Sequence, residues 1–363
     1  MHGPAMENVE SVYPLSAMQQ SILLRVLMRP GSGEYVEQVA WTLEGAFDAD
    51  AFARAWRVVM ERHAVLRTAF FWEWLERPLQ VVRTGRTLAL EHHDWRALPA
   101  GAREAELERF LAADRLRGFD PTTAPLMRVS VIRLDGDATG FVWSYHHLLL
   151  DGWSAALCLR DLFAAYEALC TGSAPRLGRA RPFESYLAWA AAQDPAAGEA
   201  FWRGVLDGFE GAPAPGVARP GAREGERYGV AAAVLEPALV DGLNAAARRH
   251  QLTLNTLLQG AWGALLAGYT GEADVVFGAV AAGRLAAVPG VDSIPGVFIN
   301  TLPVRVRMRP GEPAAAWLQG LQAEQLRARP HEHWSMPQVA AWSGVPHGRR
   351  LFETMFVFQN LPD

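Results

Sequence analysis

Cysteine is nearly missing from this chain, and so is any excess of charge. The two cysteines, Cys158 and Cys170, fall in a helical pattern and read as buried thiols, which leaves no disulfide framework and no cysteine-based metal site. A net charge of -5 with a pI near 6.1 gives no cationic surplus, so nucleic acid is not an expected ligand. No uninterrupted apolar run approaches the ~18 residues of a spanning helix, and no membrane span is expected. The opening "MHGPAMENVE" lacks the apolar core of a signal peptide, which makes the cytoplasm the default location. What is present is ordinary for a globular protein. Half of the 363 residues are hydrophobic and a fifth are charged, enough for two domains or one large α/β unit.

Along the chain, helical and strand patterns alternate. "PLSAMQQSILLRVLMRP" predicts a helix, with Ser16 and Gln19 as a capping box and Pro30 closing the segment. "YVEQVAWTLEG" predicts a strand. Phe52, Ala55, Trp56 and Val59 recur at helical spacing between about Asp48 and His63. "AVLRTAFFW" reads as a strand and "REAELERFLAADRLR" as an exposed helix. "PLMRVSVIRL" and "GFVWSY" form a hairpin through "DGDATG". A helix follows, with Leu162, Phe163 and Tyr166 on its stripe and Gly172 where a C-terminal cap belongs. "TGSAPRLGRARP" is a linker by composition. Beyond it come helices at "YLAWAAAQ", "AGEAFWRGVL", 237–250, 254–268 and 313–328. Strands are expected at "YGVAAAVL", "DVVFGAV", "FINTLPVRVRM" and "LFETMFVFQ", with Pro303 marking an edge or a bulge. The mixture before and after residue 175 is similar in kind, so the expectation is an α/β sandwich twice: 1–174 and 175–363.

The stretch "SYHHLLLDGWS", Ser144 to Ser154, carries the chemistry. Histidine occurs only 10 times in the chain. By chance, His-His-x-x-x-Asp-Gly would arise about once in a thousand such sequences at ordinary composition. Two explanations remain at this level: a hydrogen-bonded core pair, or an acid–base site. A strand-to-loop-to-helix junction favours the second, because a rigid scaffold can aim loop side chains into a cleft. A neutral imidazole can take a proton near neutral pH and return it, as an amine or hydroxyl attacking an acyl carbon requires. Asp151, if buried, wants a cation and would hold the loop in shape, and Ser154 is placed to cap the next helix. With no serine or cysteine nucleophile motif nearby, direct transfer between two bound substrates is the simplest chemistry.

"HHLLLDGWS" resembles the active-site signature of condensation domains of nonribosomal peptide synthetases. Further motifs occur in that family's order: "YPLSAMQQSIL", "RHAVLRTAF", "FESYLAW", "FWRGVLDG", "IPGVFINTLPVRV" and "LFETMFVFQNLP". The family belongs to the chloramphenicol acetyltransferase-like superfamily. The resemblance implies two such α/β sandwich lobes in a V-shaped pseudo-dimer with a tunnel at their interface. It implies that His147 is nearest the reacting amine, as base or as positioning group, and that His146 is structural. Asp151 would organise the loop with Arg284 as its partner across the lobes. Gly152 would leave room for a substrate arm and offer its amide to the oxyanion. Trp153 and Ser154 would complete the loop, Arg62 and Arg67 would hold the first lobe together, and Asn300 would mark the crossover between lobes. Substrates would arrive as thioesters on phosphopantetheine arms of donor and acceptor carrier proteins from adjoining modules, with no bound cofactor, ATP or metal at this step.

Other signals weigh less. "EHHDW" pairs His92 with His93 but lacks the Asp-Gly and reads as structural; "HEHW" (His331 and His333) has no third ligand in view. Heterocyclising relatives carry aspartates in place of the histidines, and epimerising relatives read Gly-Val-Ser-Trp where this chain reads Gly-Trp-Ser-Ala. Amide formation is therefore favoured, with subtype motifs pointing to a D-configured or starter acyl donor. The short stretch before the first motif points to a donor received in trans or a free acyl starter. Pro295 departs from the apolar residue usual in the family. The end at Asp363, just past the last motif, leads us to expect an incomplete second lobe. Two other functions fit the superfamily: a recruiting domain without catalysis, and a free-standing acyltransferase using a soluble thioester.

Overall fold

The computed structural model describes residues 8–213, 229–284 and 287–359. These fall into two compact units. The first holds residues 8–193 and 287–298, and the second holds 194–213, 229–284 and 299–359.

The first unit is built on two sheets. Its elements are β1 (Val9–Pro14), α1 (Ala17–Met28), β2 (Val36–Leu43), α2 (Ala49–Arg62), β3 (Thr68–Phe71), β4 (Leu79–Arg83), β5 (Leu90–Asp94), α3 (Arg103–Arg117), β6 (Met127–Arg133), β7 (Thr139–His146), α4 (Gly152–Cys170) and α5 (Glu184–Ala191). One sheet has the order β1-β4-β3, the other β2-β7-β6-β5, antiparallel except where β5 runs parallel to β6. β7 is internal to its sheet, and every one of its eight residues is buried, as a strand covered on both faces should be. On α2 the buried set Ala51, Phe52, Ala55, Trp56, Val59 and Met60 forms the stripe that the sequence predicts. The Ser16–Gln19 capping box is present, and Gly172 adopts φ +70° just past α4. "AVLRTAFFW" is not wholly strand: Ala64–Arg67 forms a 3-10 turn before β3.

Polar contacts fix these elements to one another. On α4, the buried Asp161 carboxylate faces Arg62 Nε and His63 Nε2, each at 2.8 Å. Burial alone would raise its pKa, but the His63 and Arg62 contacts outweigh that and hold it near 2. Arg67 donates to the carbonyls of Met60 and Arg83 and to Glu10, tying α2 to β1 and β4. The helix expected to be exposed, α3, is anchored by buried Asp114, which accepts from Arg128, Gln38 and Ser144.

The expected boundary near residue 174 lies inside the first unit, which continues to Gln193. The reason is a local cluster: Phe183 and Tyr186, beyond the linker, pack with Val288, Val291, Ile294 and Phe298. Burial of both cysteines does not hold either. Cys158 is buried, but Cys170 closes α4 at its last turn and is exposed.

The second unit contains α6 (Pro195–Leu206), α7 (Pro237–Arg249), α8 (Leu254–Thr270), β8 (Asp274–Ala281), β9 (Asn300–Arg307), α9 (Ala314–Ala328), α10 (Met336–Trp342) and β10 (Met355–Phe356). Its sheet has the order β10-β8-β9. Pro303 lies on β9 at the sheet edge, where its missing N–H leaves no gap in a ladder. Of the strand expected at "YGVAAAVL", Tyr228 lies outside the described residues, and residues 229–235 are exposed and pair with no strand among the described residues. Arg305 joins strand to helix, bonding Asp274 on β8 and the carbonyls of Val205 and Asp207. No described helix is long and apolar enough to cross a membrane.

Candidate active site

The His-His loop leaves β7 clamped on both sides. The His146 amide donates to the Leu126 carbonyl at 3.0 Å, and the His147 amide donates to the Tyr35 carbonyl at 2.8 Å. From Phe141 to Asp151 every residue is buried except His147, which is partly open. The two imidazoles therefore have different environments. His146 is 2% exposed, and its Nδ1 accepts the Leu148 amide at 3.0 Å. Burial, with the neighbouring His147 adding to it, lowers its pKa to about 4, so it is neutral at pH 7 with Nδ1 unprotonated. His147 has its Nδ1 buried without a hydrogen-bond partner among the described residues, which leaves Nε2 as the nitrogen available to a ligand.

The far side of the loop is set by a helix cap. Asp151, and not Ser154, is the N-cap of α4: its Oδ1 accepts the Ser154 amide at 2.8 Å. Ser154 lies inside the first turn and is fully buried, so its hydroxyl turns elsewhere, donating to the Gly296 carbonyl at 2.7 Å. Asp151 Oδ2 accepts the Phe298 amide at 3.0 Å, and the Asp151 amide donates to the Gly296 carbonyl at 3.2 Å. A buried carboxylate satisfied by two backbone amides holds segment 294–298 against the start of α4. Trp153 adds a bond from its indole to the Asp292 carbonyl at 3.0 Å. Pro295 immediately precedes Gly296 in this segment. Gly152 begins the helix, where a first-turn amide has no intrahelical acceptor and the dipole favours negative charge.

The structure thus brings together His146, His147, Asp151, Gly152, Trp153 and Ser154. Arg62 and Arg67 lie apart from the loop in the polar contacts described above. Arg284 and Asn300 belong to the second unit. Asn300 opens β9 just after the chain passes from one unit to the other, and its amide donates to the carbonyls of Glu332 and Trp334. His93 packs edge-on against Phe110, and His331 stacks on Phe201.

One supporting residue carries no chemical signature in the sequence. Gln19 donates to the Leu148 carbonyl at 2.9 Å and exchanges bonds with buried Gln80, so the capping box of α1 also buttresses the loop. Burial raises the pKa of Glu332 to about 7, against the opposing effects of Arg329 and the Gly283 amide.

The sequence profile of the condensation-domain family matches residues 9–363. The chain belongs to that family. Such domains are the amide-forming acyltransferases of nonribosomal peptide synthetases. Two components of linear gramicidin synthase from Brevibacillus parabrevis are among its relatives. One is 43% identical over 355 residues, with 97% of this chain and 7% of the relative covered. Another is 41% identical over 358 residues, with 98% of this chain and 5% of the relative covered. The domain therefore spans a small fraction of the curated relatives it matches. Among solved structures, a variant of the starter condensation domain of rhizomide synthetase RzmA, in complex with C8-CoA, matches with a TM-score of 0.77 at 25% identity, covering 96% of this chain and 78% of that one. The four-domain synthetase holo-AB3403 shares the fold at a TM-score of 0.81 and 19% identity, with 97% of this chain and 27% of that one covered.

Proposed function

We propose that the domain joins a donor acyl or peptidyl thioester, held on one carrier protein, to the amine of an aminoacyl group held on another. The observation that supports this most is the partial opening of His147 within an otherwise buried loop. His147 Nε2 accepts a hydrogen bond from the attacking amine. The amine nitrogen bonds to the thioester carbon, the carbon–sulfur bond breaks, and the amine proton ends on the departing pantetheine thiol. The Gly152 amide faces the developing oxyanion at the positive end of α4. His146, Asp151, Trp153 and Ser154 hold the loop, Arg62 and Arg67 brace the first unit, and Asn300 fixes the start of β9. The two compact units correspond to the two acetyltransferase-like lobes of the family.

Arg284 joins this reading as a further site residue coupled to Asp151, read by a double-mutant cycle on transfer rate in which the two substitutions are non-additive. The donor is a D-configured residue or a starter acyl group. The motif pattern supports this, and so does the rhizomide starter domain with its C8-CoA. Partners are donor and acceptor carriers of adjoining modules bearing 4'-phosphopantetheine; no resident cofactor or metal enters the step.

The test is to mix the domain with loaded donor and acceptor carriers and read the acceptor mass. The acceptor gains the donor acyl group with the native domain and not with His147→Ala of equal melting temperature. Equal transfer by both takes His147 out of the mechanism. Transfer from a soluble thioester but not from a carrier assigns a free-standing acyltransferase instead.

A further inference from the structure

We infer that Tyr35 is a positioning residue for His147, fixing the direction in which its imidazole presents Nε2. The inference deepens the role given to His147 above and rests on it. The β2–β7 ladder has Val36 opposite His146 as its last pair. One step beyond, the Tyr35 carbonyl receives the His147 amide. The ring of the same tyrosine stands edge-on to the imidazole, with centroids 6.5 Å apart and planes at 71°. Backbone and side chain of one residue therefore both engage His147.

Tyr35 does so from an unfavoured conformation. Its φ of +64° lies in the left-handed region, which suits glycine and crowds a Cβ. A tyrosine stays there only when its surroundings hold it, and such positions concentrate at functional sites. The surroundings are identifiable. Gly31 and Gly33 precede it at φ +72° and +71°, curling the chain. A Cβ on Gly33 would lie 2.8 Å from the Arg115 carbonyl, so the curl is seated on the end of α3. The Val36 amide closes back on the Gly33 carbonyl at 3.3 Å, and Arg29 pairs with Glu34 at 2.5 Å. Arg115 reaches Gln38 at 3.1 Å on the following strand.

His147 needs such a support. In many acid–base sites a carboxylate or carbonyl on Nδ1 fixes the ring, but here Nδ1 has no partner among the described residues. Orientation must then come from packing, and the Tyr35 ring supplies it. The tyrosine hydroxyl makes no hydrogen bond among the described residues, so the phenyl ring and the carbonyl carry the role.

Carrier-to-carrier transfer by Tyr35→Ala, Tyr35→Leu and Tyr35→Phe tests this, together with the ring-proton NMR signals of His147. Expected is a loss of roughly tenfold or more in kcat for Ala and Leu, with KM for the acceptor carrier within about twofold. The His147 signals should move in both, and phenylalanine should recover kcat to within about threefold of the native domain. Native kcat in the leucine variant, a loss confined to KM, or phenylalanine as poor as leucine would each overturn the inference. Should His147→Ala itself transfer normally, the underlying role of His147 fails instead, which separates the two results.

Discussion

His146 and Glu332 show burial acting in opposite senses on two kinds of titratable group. With a folded pKa near 4 against 6.5 when free, His146 stays neutral while the unfolded chain takes up a proton. Acidification through that window removes up to about 3 kcal/mol of stability from this group. Its ring signals in NMR should accordingly show no titration between pH 8 and about pH 5, and a midpoint near 6.5 would contradict the buried Nδ1 acceptor. Glu332 runs the other way. Its folded pKa near 7 lies above the free value of 4.5, so its contribution is present in acid and is lost as pH rises through neutrality. In urea unfolding, Glu332→Gln should therefore gain most over the native domain at pH 8, by up to about 3 kcal/mol relative to pH 4.5. An equal effect at both pH values would contradict an acid pushed up by burial.

Among the elements, the junction of β7 and α4 depends on a segment nearly 150 positions away in sequence. Gly296 supplies the carbonyl that receives both the Asp151 amide and the Ser154 hydroxyl. A Cβ there would overlap the ring of Phe183 at Cδ2. Gly296→Ala must displace that ring or its own backbone, with an expected cost of about 1–3 kcal/mol in urea unfolding and a slower transfer. Native stability in that variant would contradict the close approach. The local elements were legible because their signals are local: the Ser16–Gln19 box, the stripe on α2, the turn between β6 and β7, the glycine after α4. Serine suits a cap by residue type, which points to Ser154, yet Asp151 sits three residues before the amide that needs an acceptor. The supports from Tyr35, Gln19 and Phe298 were not legible, since a backbone carbonyl or amide brought in from afar leaves no mark on residue type. The short β1, β4 and β5 escaped for a related reason: they depend on their sheet partners more than on any pattern of their own.

For the molecule as a whole, the units do not follow the chain in two consecutive halves. Residues 287–298 return to the first unit after most of the second has been made, and α5 belongs to the first unit as well. A linker-like composition at 171–182 marks an irregular stretch and not a division. A fragment of residues 1–174 would lack Phe183, Tyr186, Gly296 and Phe298, hence both the small aromatic cluster and two of the bonds on Asp151. Its amide NMR spectrum should lose the dispersion of a native core around α4, whereas a native-like spectrum would contradict the division after Gln193. The family was legible from ordered motifs along nearly the whole chain.

The most direct measurement is the single-turnover rate of acyl transfer between saturating loaded carriers, native domain against His147→Ala. The expected result is a fall of roughly a hundredfold or more with the melting temperature unchanged. An undiminished rate in the variant would contradict it.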